Sequence, residues 1–348
     1  MEKRRLTEMS KGSGCGCKIA PADLRQILAS SDWNDSDFDR LLIGNGANDD
    51  AAVYALDSEQ CIISTTDFFT PIVDDPTDFG AVAACNALSD VYAMGGKPIM
   101  ALGILGWPIE QLGAEMASHV IQGAKKICAQ AKIPMAGGHS IDSKEPFFGL
   151  AVTGLVNRKD IKSNGGSKPG DTLYLTKPIG SGMAAAGLKR DLIEQKEFTE
   201  VLEVMLKLND VGAALGRMAG VTAMTDVTGF GLLGHLIEMC EASKTSAQLD
   251  FSAIPTLSDN LLNTLTSKFV MPDNTMRNFK EYGPKCSKLS GTQLQLLCDP
   301  QSNGGLLISV DPENSNELES TLIQANLYAK PIGVIGEQSS QETIIQVD

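Results

Sequence analysis

The chain has 348 residues, of which 43% are hydrophobic and 21% charged, with a formal net charge of −14 at pH 7. That length and composition suit a globular protein whose core is split between two domains. The acidic balance argues against a nucleic-acid partner, whose phosphates require Lys and Arg, and no apolar run reaches membrane-spanning length.

In chain order, Met1-Glu2-Lys3-Arg4-Arg5 has no hydrophobic segment behind it, so no secretory signal is expected and the chain reads as cytoplasmic. Gly12-Ser13-Gly14-Cys15-Gly16-Cys17-Lys18 follows, two thiols and an ammonium on a glycine-loosened backbone. A lysine beside a cysteine favours the reactive thiolate. The segment reads either as an arm that carries sulfur to chemistry elsewhere or as a tail with two spare cysteines. The other six cysteines are Cys61, Cys85, Cys128, Cys240, Cys286 and Cys298. Reduced thiols are expected, with Cys85, Cys128 and Cys240 as small core residues on helices.

A short helix is predicted over 21–30 and a loop over 44–50. Strands follow over 51–56 and 61–66, joined by a turn at Asp57-Ser58-Glu59-Gln60. A helix over 78–94 stops at Gly95-Gly96. Then come a strand over 98–105, a long amphipathic helix over 110–132, a short strand over 133–136 running into a Gly137-Gly138-His139-Ser140 turn, and a buried strand over 147–156. The segment 162–171, with Pro169 and little hydrophobicity, reads as a domain boundary. Beyond it the pattern predicts strands over 172–176, 221–225, 248–254, 305–310, 329–335 and 343–347. Helices are predicted over 181–190, 198–218, 231–242 and 314–325, and 255–287 has no clear period. Strands and helices mix without strict alternation, which favours two α+β domains. The expected division is a flexible glycine-rich arm over 1–20, an N-terminal domain over 21–160, a linker over 161–171 and a C-terminal domain over 172–348. A strand ending in Thr-Asp occurs in each half, at Thr66-Asp67 and Thr225-Asp226, as if two related domains faced each other.

Four segments place aspartates at element junctions or inside a helix: Asn48-Asp49-Asp50, Thr66-Asp67, Ser89-Asp90 and Thr225-Asp226. They are either independent cap and turn acids or, if the fold gathers them, a set of hard oxygen ligands for Mg²⁺ and phosphate. Asp90 is the sharpest of them, because it lies in an apolar helical pattern where an unpaired carboxylate is costly. Glycine-rich turns at 137–140, 228–235 and 302–305 offer backbone N–H groups to phosphate, yet none matches a P-loop or a dinucleotide fingerprint. His139 and His235 read more simply as satisfied histidines than as catalysts.

Together, Gly14-Cys15-Gly16-Cys17-Lys18, Asp49-Asp50-Ala51-Ala52-Val53-Tyr54, Thr65-Thr66-Asp67-Phe68-Phe69, Asn86-Ala87-Leu88-Ser89-Asp90, Gly137-Gly138-His139-Ser140 and Thr225-Asp226-Val227-Thr228-Gly229-Phe230-Gly231 closely resemble the selenophosphate synthetase family, in order over nearly the whole chain. The glycine and aspartate segments are shared with aminoimidazole ribonucleotide synthetase and thiamine monophosphate kinase; the Cys-Gly-Cys-Lys arm narrows the likeness to selenium chemistry. The resemblance implies a two-domain α+β fold of the aminoimidazole ribonucleotide synthetase type and a homodimer paired through its N-terminal domains in a β-barrel-like interface. It implies that ATP, selenide and water give selenophosphate, AMP and phosphate, with selenide free or brought by a selenium-delivery protein. By position, Cys15 and Lys18 would be catalytic, and Asp50, Asp90 and Asp226 would hold Mg²⁺. Lys18, Ala47, Asn48, Asp49, Asp67, Asp90, Gly138, His139 and Ser140 would bind ATP, some from the other subunit. Lys11 stands where many members have histidine, and Ser302-Asn303-Gly304-Gly305 where Thr-Ser-Gly-Gly is more usual, a change expected to matter little.

Overall fold

The computed structural model describes residues 5–10, 12, 14, 19, 23, 24, 26, 27, 38–44, 49–338 and 343–348. Their strands form two six-stranded sheets. The first contains β1 (Leu41–Ile43), β2 (Ala52–Ala55), β3 (Gln60–Phe69), β4 (Lys97–Trp107), β5 (Met135–Asp142) and β6 (Phe147–Asn157), in the order β1-β2-β3-β6-β4-β5. Its neighbours are antiparallel except β4 and β5. The second contains β7 (Thr172–Leu175), β8 (Val221–Asp226), β9 (Thr245–Leu249), β10 (Leu306–Val310), β11 (Pro331–Glu337) and β12 (Ile345–Val347), in the order β12-β9-β11-β7-β10-β8. Here only β12 and β9 run parallel.

Helices α1 (Pro76–Ala93) and α2 (Ile109–Gln130) belong to the first half. The second half carries α3 (Ser181–Lys189), α4 (Thr199–Leu206), α5 (Gly212–Leu215), α6 (Gly231–Ser243), α7 (Asp259–Ser267), α8 (Asp273–Tyr282), α9 (Gly291–Leu297) and α10 (Ser315–Gln324). Helix α1 starts two residues before the predicted Asp78. Asp75 accepts from the Thr77 and Asp78 N–H groups, and Pro76 occupies the first turn, where its missing donor costs nothing. Every residue from Phe79 to Ala93 is buried. The helix lies between α2, strands β3 and β6, and elements α4, α5 and β8 of the second half. A helix apolar on all sides is a core helix, and α1 forms the wall shared by both halves.

Several predicted elements differ in the structure. The helix expected over 198–218 is interrupted, because the chain turns extended at Lys207 and the fully buried Asn209 gives its amide to Ser89 Oγ and Gly304 O instead of facing solvent from a helix. The strand expected over 248–254 begins earlier as β9 and gives way to a 3-10 turn, Phe251–Ala253, capped by Asp250. The unassigned 255–287 stretch holds α7 and α8. Helix α9 has a Ser290–Gln293 capping box, a spacing readable in sequence. Gly137-Gly138-His139-Ser140 is not a turn but the middle of edge strand β5.

Within the expected arm, residues 5–10 are docked. Leu6 is buried in the core, Arg5 bridges Asp74 and Asp191 at 2.7 and 2.9 Å, and Thr7 donates its N–H and hydroxyl to Asp74. Most of the helix predicted over 21–30 lies outside the described residues. Six cysteines, Cys61, Cys85, Cys128, Cys240, Cys286 and Cys298, are free and buried. Among the described residues, no helix is long and apolar enough to cross a membrane.

Candidate active site

The site is built where α1 crosses β3. Alternation along a strand puts Thr65 and Asp67 on one face of β3, the face toward α1. Two strand residues span about 6.6 Å and four helical residues about 6.0 Å. Asn86 and Asp90, four apart on α1, therefore meet Asp67 and Thr65 in register. Asn86 Nδ2 donates to Asp67 Oδ2 at 2.5 Å, and Thr65 Oγ1 donates to Asp90 Oδ2 at 2.5 Å. The buried acid in the apolar helix is thus paired, as its cost demands.

The second half closes on this pair with the end of β8. Thr225 Oγ1 donates to Asp50 Oδ1 at 2.8 Å across the two halves. Asp226, next in sequence, is almost wholly buried. Asp50 is partly exposed as a residue, but its Oδ2 is enclosed and receives no hydrogen bond among the described residues. Burial first, and then the charges of Asp226, Asp90 and Asp49, push the Asp50 carboxyl well above the usual carboxylate range, against the opposing hydrogen bond from Thr225. Asp49 is also raised by burial, less so because its Oδ1 accepts the Asn164 N–H at 2.8 Å.

Of the three predicted metal ligands, Asp226 and Asp90 therefore both act electrostatically on Asp50. No group of three or more His, Cys, Asp or Glu side chains among the described residues forms a ready-made metal cage. Mg²⁺ does not need one: it keeps waters and joins one or two carboxylates to substrate phosphates. The hard oxygen donors, the enclosed Asp50 Oδ2 and the mutual repulsion of the carboxylates all suit a divalent cation bound in that way.

Cys15, Lys18, Ala47 and Asn48 lie outside the described residues, as do Cys17 and Lys11. Gly14, just before Cys15, donates its N–H to Thr70 O at 3.0 Å beyond the end of β3. Gly138, His139 and Ser140 are not brought to the carboxylates within one chain. They sit on β5, three strands from Asp67, which is about 14 Å across a sheet. There they line a cavity of about 360 Å³ with Leu105, Lys125 and Met135. His235 is buried, and its Nε2 accepts the Thr228 N–H at 3.1 Å, a structural role.

Sequence reasoning missed Thr65, Thr225, Asn86 and Lys177. The two threonines were legible as hydroxyls beside each predicted acid. Lys177 is fully buried and donates to Lys207 O and Asn303 O, and burial pushes its ammonium down to about 7 against the opposing charge of Asp226. Nothing in its local sequence marks it.

Comparisons with known proteins agree with this architecture. Residues 48–156 match the family "AIR synthase related protein, N-terminal domain", and residues 168–346 match "AIR synthase related protein, C-terminal domain". The chain is 50% identical over 339 residues to the selenide, water dikinase of Pseudomonas aeruginosa, covering 97% of this chain and 98% of that protein. It is 49% identical over 343 residues to that of Yersinia pseudotuberculosis, covering 99% and 98%. Thiamine-monophosphate kinase from Stenotrophomonas maltophilia shares the fold at a TM-score of 0.66 with 19% identity, over 95% of this chain and 96% of that one. The Aquifex aeolicus enzyme of that name, solved with AMPPCP and TMP, also superposes at 0.66, with 19% identity over 100% and 96%. Near one-half identity over almost the full length, on the two-domain fold just described, makes this chain a member of the selenide, water dikinase family within the AIR synthase related proteins.

Proposed function

We infer that this chain makes selenophosphate from selenide and ATP, releasing AMP and phosphate and so supplying the selenium donor for selenocysteine and selenouridine synthesis. The observation that carries the reading is the near-full-length identity to relatives named selenide, water dikinase. The convergence of Asp50, Asp90 and Asp226 between the two halves supports it. Phosphoryl transfer asks for charge neutralisation and in-line placement more than for covalent help.

Asp50, Asp90 and Asp226 would hold Mg²⁺, which when bound neutralises the phosphate charge. The chain's own groups do the remainder. Thr65 and Thr225 fix the carboxylates, and Asp67, Asp49, Ala47 and Asn48 line the nucleotide. Lys18 stabilises charge as the γ-phosphoryl passes to selenide. The ADP that remains then loses its β-phosphoryl to water, giving AMP and phosphate. Cys15, as thiolate, carries or orients selenium. Hydroselenide is already ionised, so it needs delivery and shelter rather than a base.

The chain acts as a homodimer in this reading. Strand register supports it: Tyr54, Phe68, Leu102 and Ile141 all project from one open face of the first sheet and are exposed. Exposed apolar side chains gathered on one sheet face suit an interaction surface. A second copy on that face brings Gly138, His139 and Ser140 to the partner's nucleotide. The proposed organisation is an arm over 1–20, domains over 21–160 and 172–348, and a linker over 161–171, which the two separate sheets support.

The test is the nucleotide product formed from ATP and Mg²⁺ under anaerobic conditions, with and without selenide. Selenide-dependent AMP together with a phosphorus signal bonded to selenium is expected. ADP alone, or no response to selenide, would overturn the reading in favour of a metabolite kinase.

A further inference from the structure

The Ser302-Asn303-Gly304-Gly305 loop is buried throughout, so it cannot be an open phosphate cradle. It is wedged between the acids of the two halves. On one side, Gly305 O accepts the Val227 N–H at 2.9 Å, directly after Asp226. A Cβ on Gly304 would stand 2.1 Å from Val227 O, so the backbones are in direct contact there. On the other side, the Asn303 N–H donates to Asn86 Oδ1 at 2.7 Å, and Asn86 Nδ2 donates to Asp67 Oδ2.

The loop is itself held rigidly. Asn303 sits at φ +49°, a left-handed conformation that asparagine tolerates. Its side chain donates to Met205 O at 2.6 Å and Lys207 O at 2.8 Å, and Lys177 Nζ donates to Asn303 O at 3.0 Å. Gly14, the described residue nearest Cys15 on its N-terminal side, packs against Ser302.

The amide of Asn86 has only one orientation that satisfies both neighbours. A backbone N–H can only donate, so it needs the oxygen end; an ionised carboxylate can only accept, so it needs the NH₂ end. With Asn86 fully buried on a helix enclosed from Phe79 to Ala93, the amide links the loop to Asp67.

We propose that Asn86 is a positioning residue that aims Asp67 at the nucleotide, and that it takes its own aim from the Ser302–Gly305 loop of the other half. The proposal deepens the functional reading above and rests on Asp67 being a nucleotide ligand. The test is isothermal titration of the full-length protein with a non-hydrolysable ATP analogue and Mg²⁺, which needs no selenium chemistry. Asn86→Ala removes both hydrogen bonds. Asn86→Asp keeps an acceptor for the Asn303 N–H and sets a carboxylate against Asp67 in place of a donor. Both are expected to weaken the analogue tenfold or more and to raise the ATP concentration for half-maximal AMP release by a similar factor, with the rate at saturation changed less than threefold. A merely structural role predicts that Asn86→Asp binds like the wild type, and that result would overturn the proposal. Affinity within twofold of wild type in both variants, or no analogue binding by the wild type, would also overturn it. If Asn86→Ala does not fold, Asn86→Asp decides alone. Analogue binding that responds as expected, in a protein that makes no selenide-dependent AMP, would overturn only the selenium reading.

Discussion

Gly137-Gly138-His139-Ser140 and Ser302-Asn303-Gly304-Gly305 read alike as sequences: small, polar, glycine-paired and next to a strand. The structure puts them at opposite extremes. The first is an exposed edge strand beside an open cavity, and the second is a buried loop clamped between two halves of the molecule. In the first, Gly137 faces open space, while Gly138 lets β5 lie against its neighbour β4, where a Cβ would stand 2.1 Å from Gly103 O. In the second, Gly304 lets the backbones of two distant segments touch, where a Cβ would stand 2.1 Å from Val227 O. Glycine richness therefore reports close approach without saying what approaches.

The contrast can be broken by exchanging what each segment loses. Asn303→Ala forfeits two side-chain hydrogen bonds and places alanine in a left-handed conformation. About 3 kcal/mol of stability is expected to go, read as a lower urea midpoint. His139→Ala, on the exposed strand, is expected to stay within about 0.5 kcal/mol, yet to weaken nucleotide binding by the proposed dimer. Equal stability losses would mean that the two segments are not different in kind.

A smaller effect sharpens the buried side. Asp299, just ahead of the loop, accepts the Gly182 N–H at the start of α3, and burial holds its carboxyl up at about 7 against an ordinary 3.8. A raised carboxyl contributes stability that is fully present below about pH 4 and is lost as pH rises through about 7. Between pH 5.5 and 8 the loss is expected to be about 2 kcal/mol. Asp299→Asn should remove that slope from a thermal-melt series, and an unchanged slope would assign the titration elsewhere.

The smallest expected effect concerns the open face. Phe68→Asp, on the exposed side of β3, should weaken self-association at least tenfold, worth about 1.4 kcal/mol. Light scattering over a concentration series measures it. A variant as dimeric as the wild type would place the interface on another surface.

Much of this arrangement was legible in the residues. The apolar run and the Gly95-Gly96 stop marked α1, though from Asp78 rather than from the Asp75 cap, and left Asp90 as an acid needing a partner. The partner itself was not legible, because Thr65 reaches it only when β3 and α1 cross in one register. The predicted 198–218 helix failed for a related reason: Asn209 ends it through contacts with Ser89 and Gly304, which are about a hundred residues away. The substitution in 302–305 was expected to be inconsequential, since hydroxyl and small residues are largely kept. Only the fold shows that Asn303 ties the two halves together.

Helix α1 makes one further point. It is the inner wall of both halves, with every position from Phe79 onward enclosed. Neither half can open without stripping the other of that wall, so the two sheets are expected to unfold as a single cooperative unit. The boundary proposed at 161–171 would divide the chain as a covalent string, while α1 joins the two halves in one core.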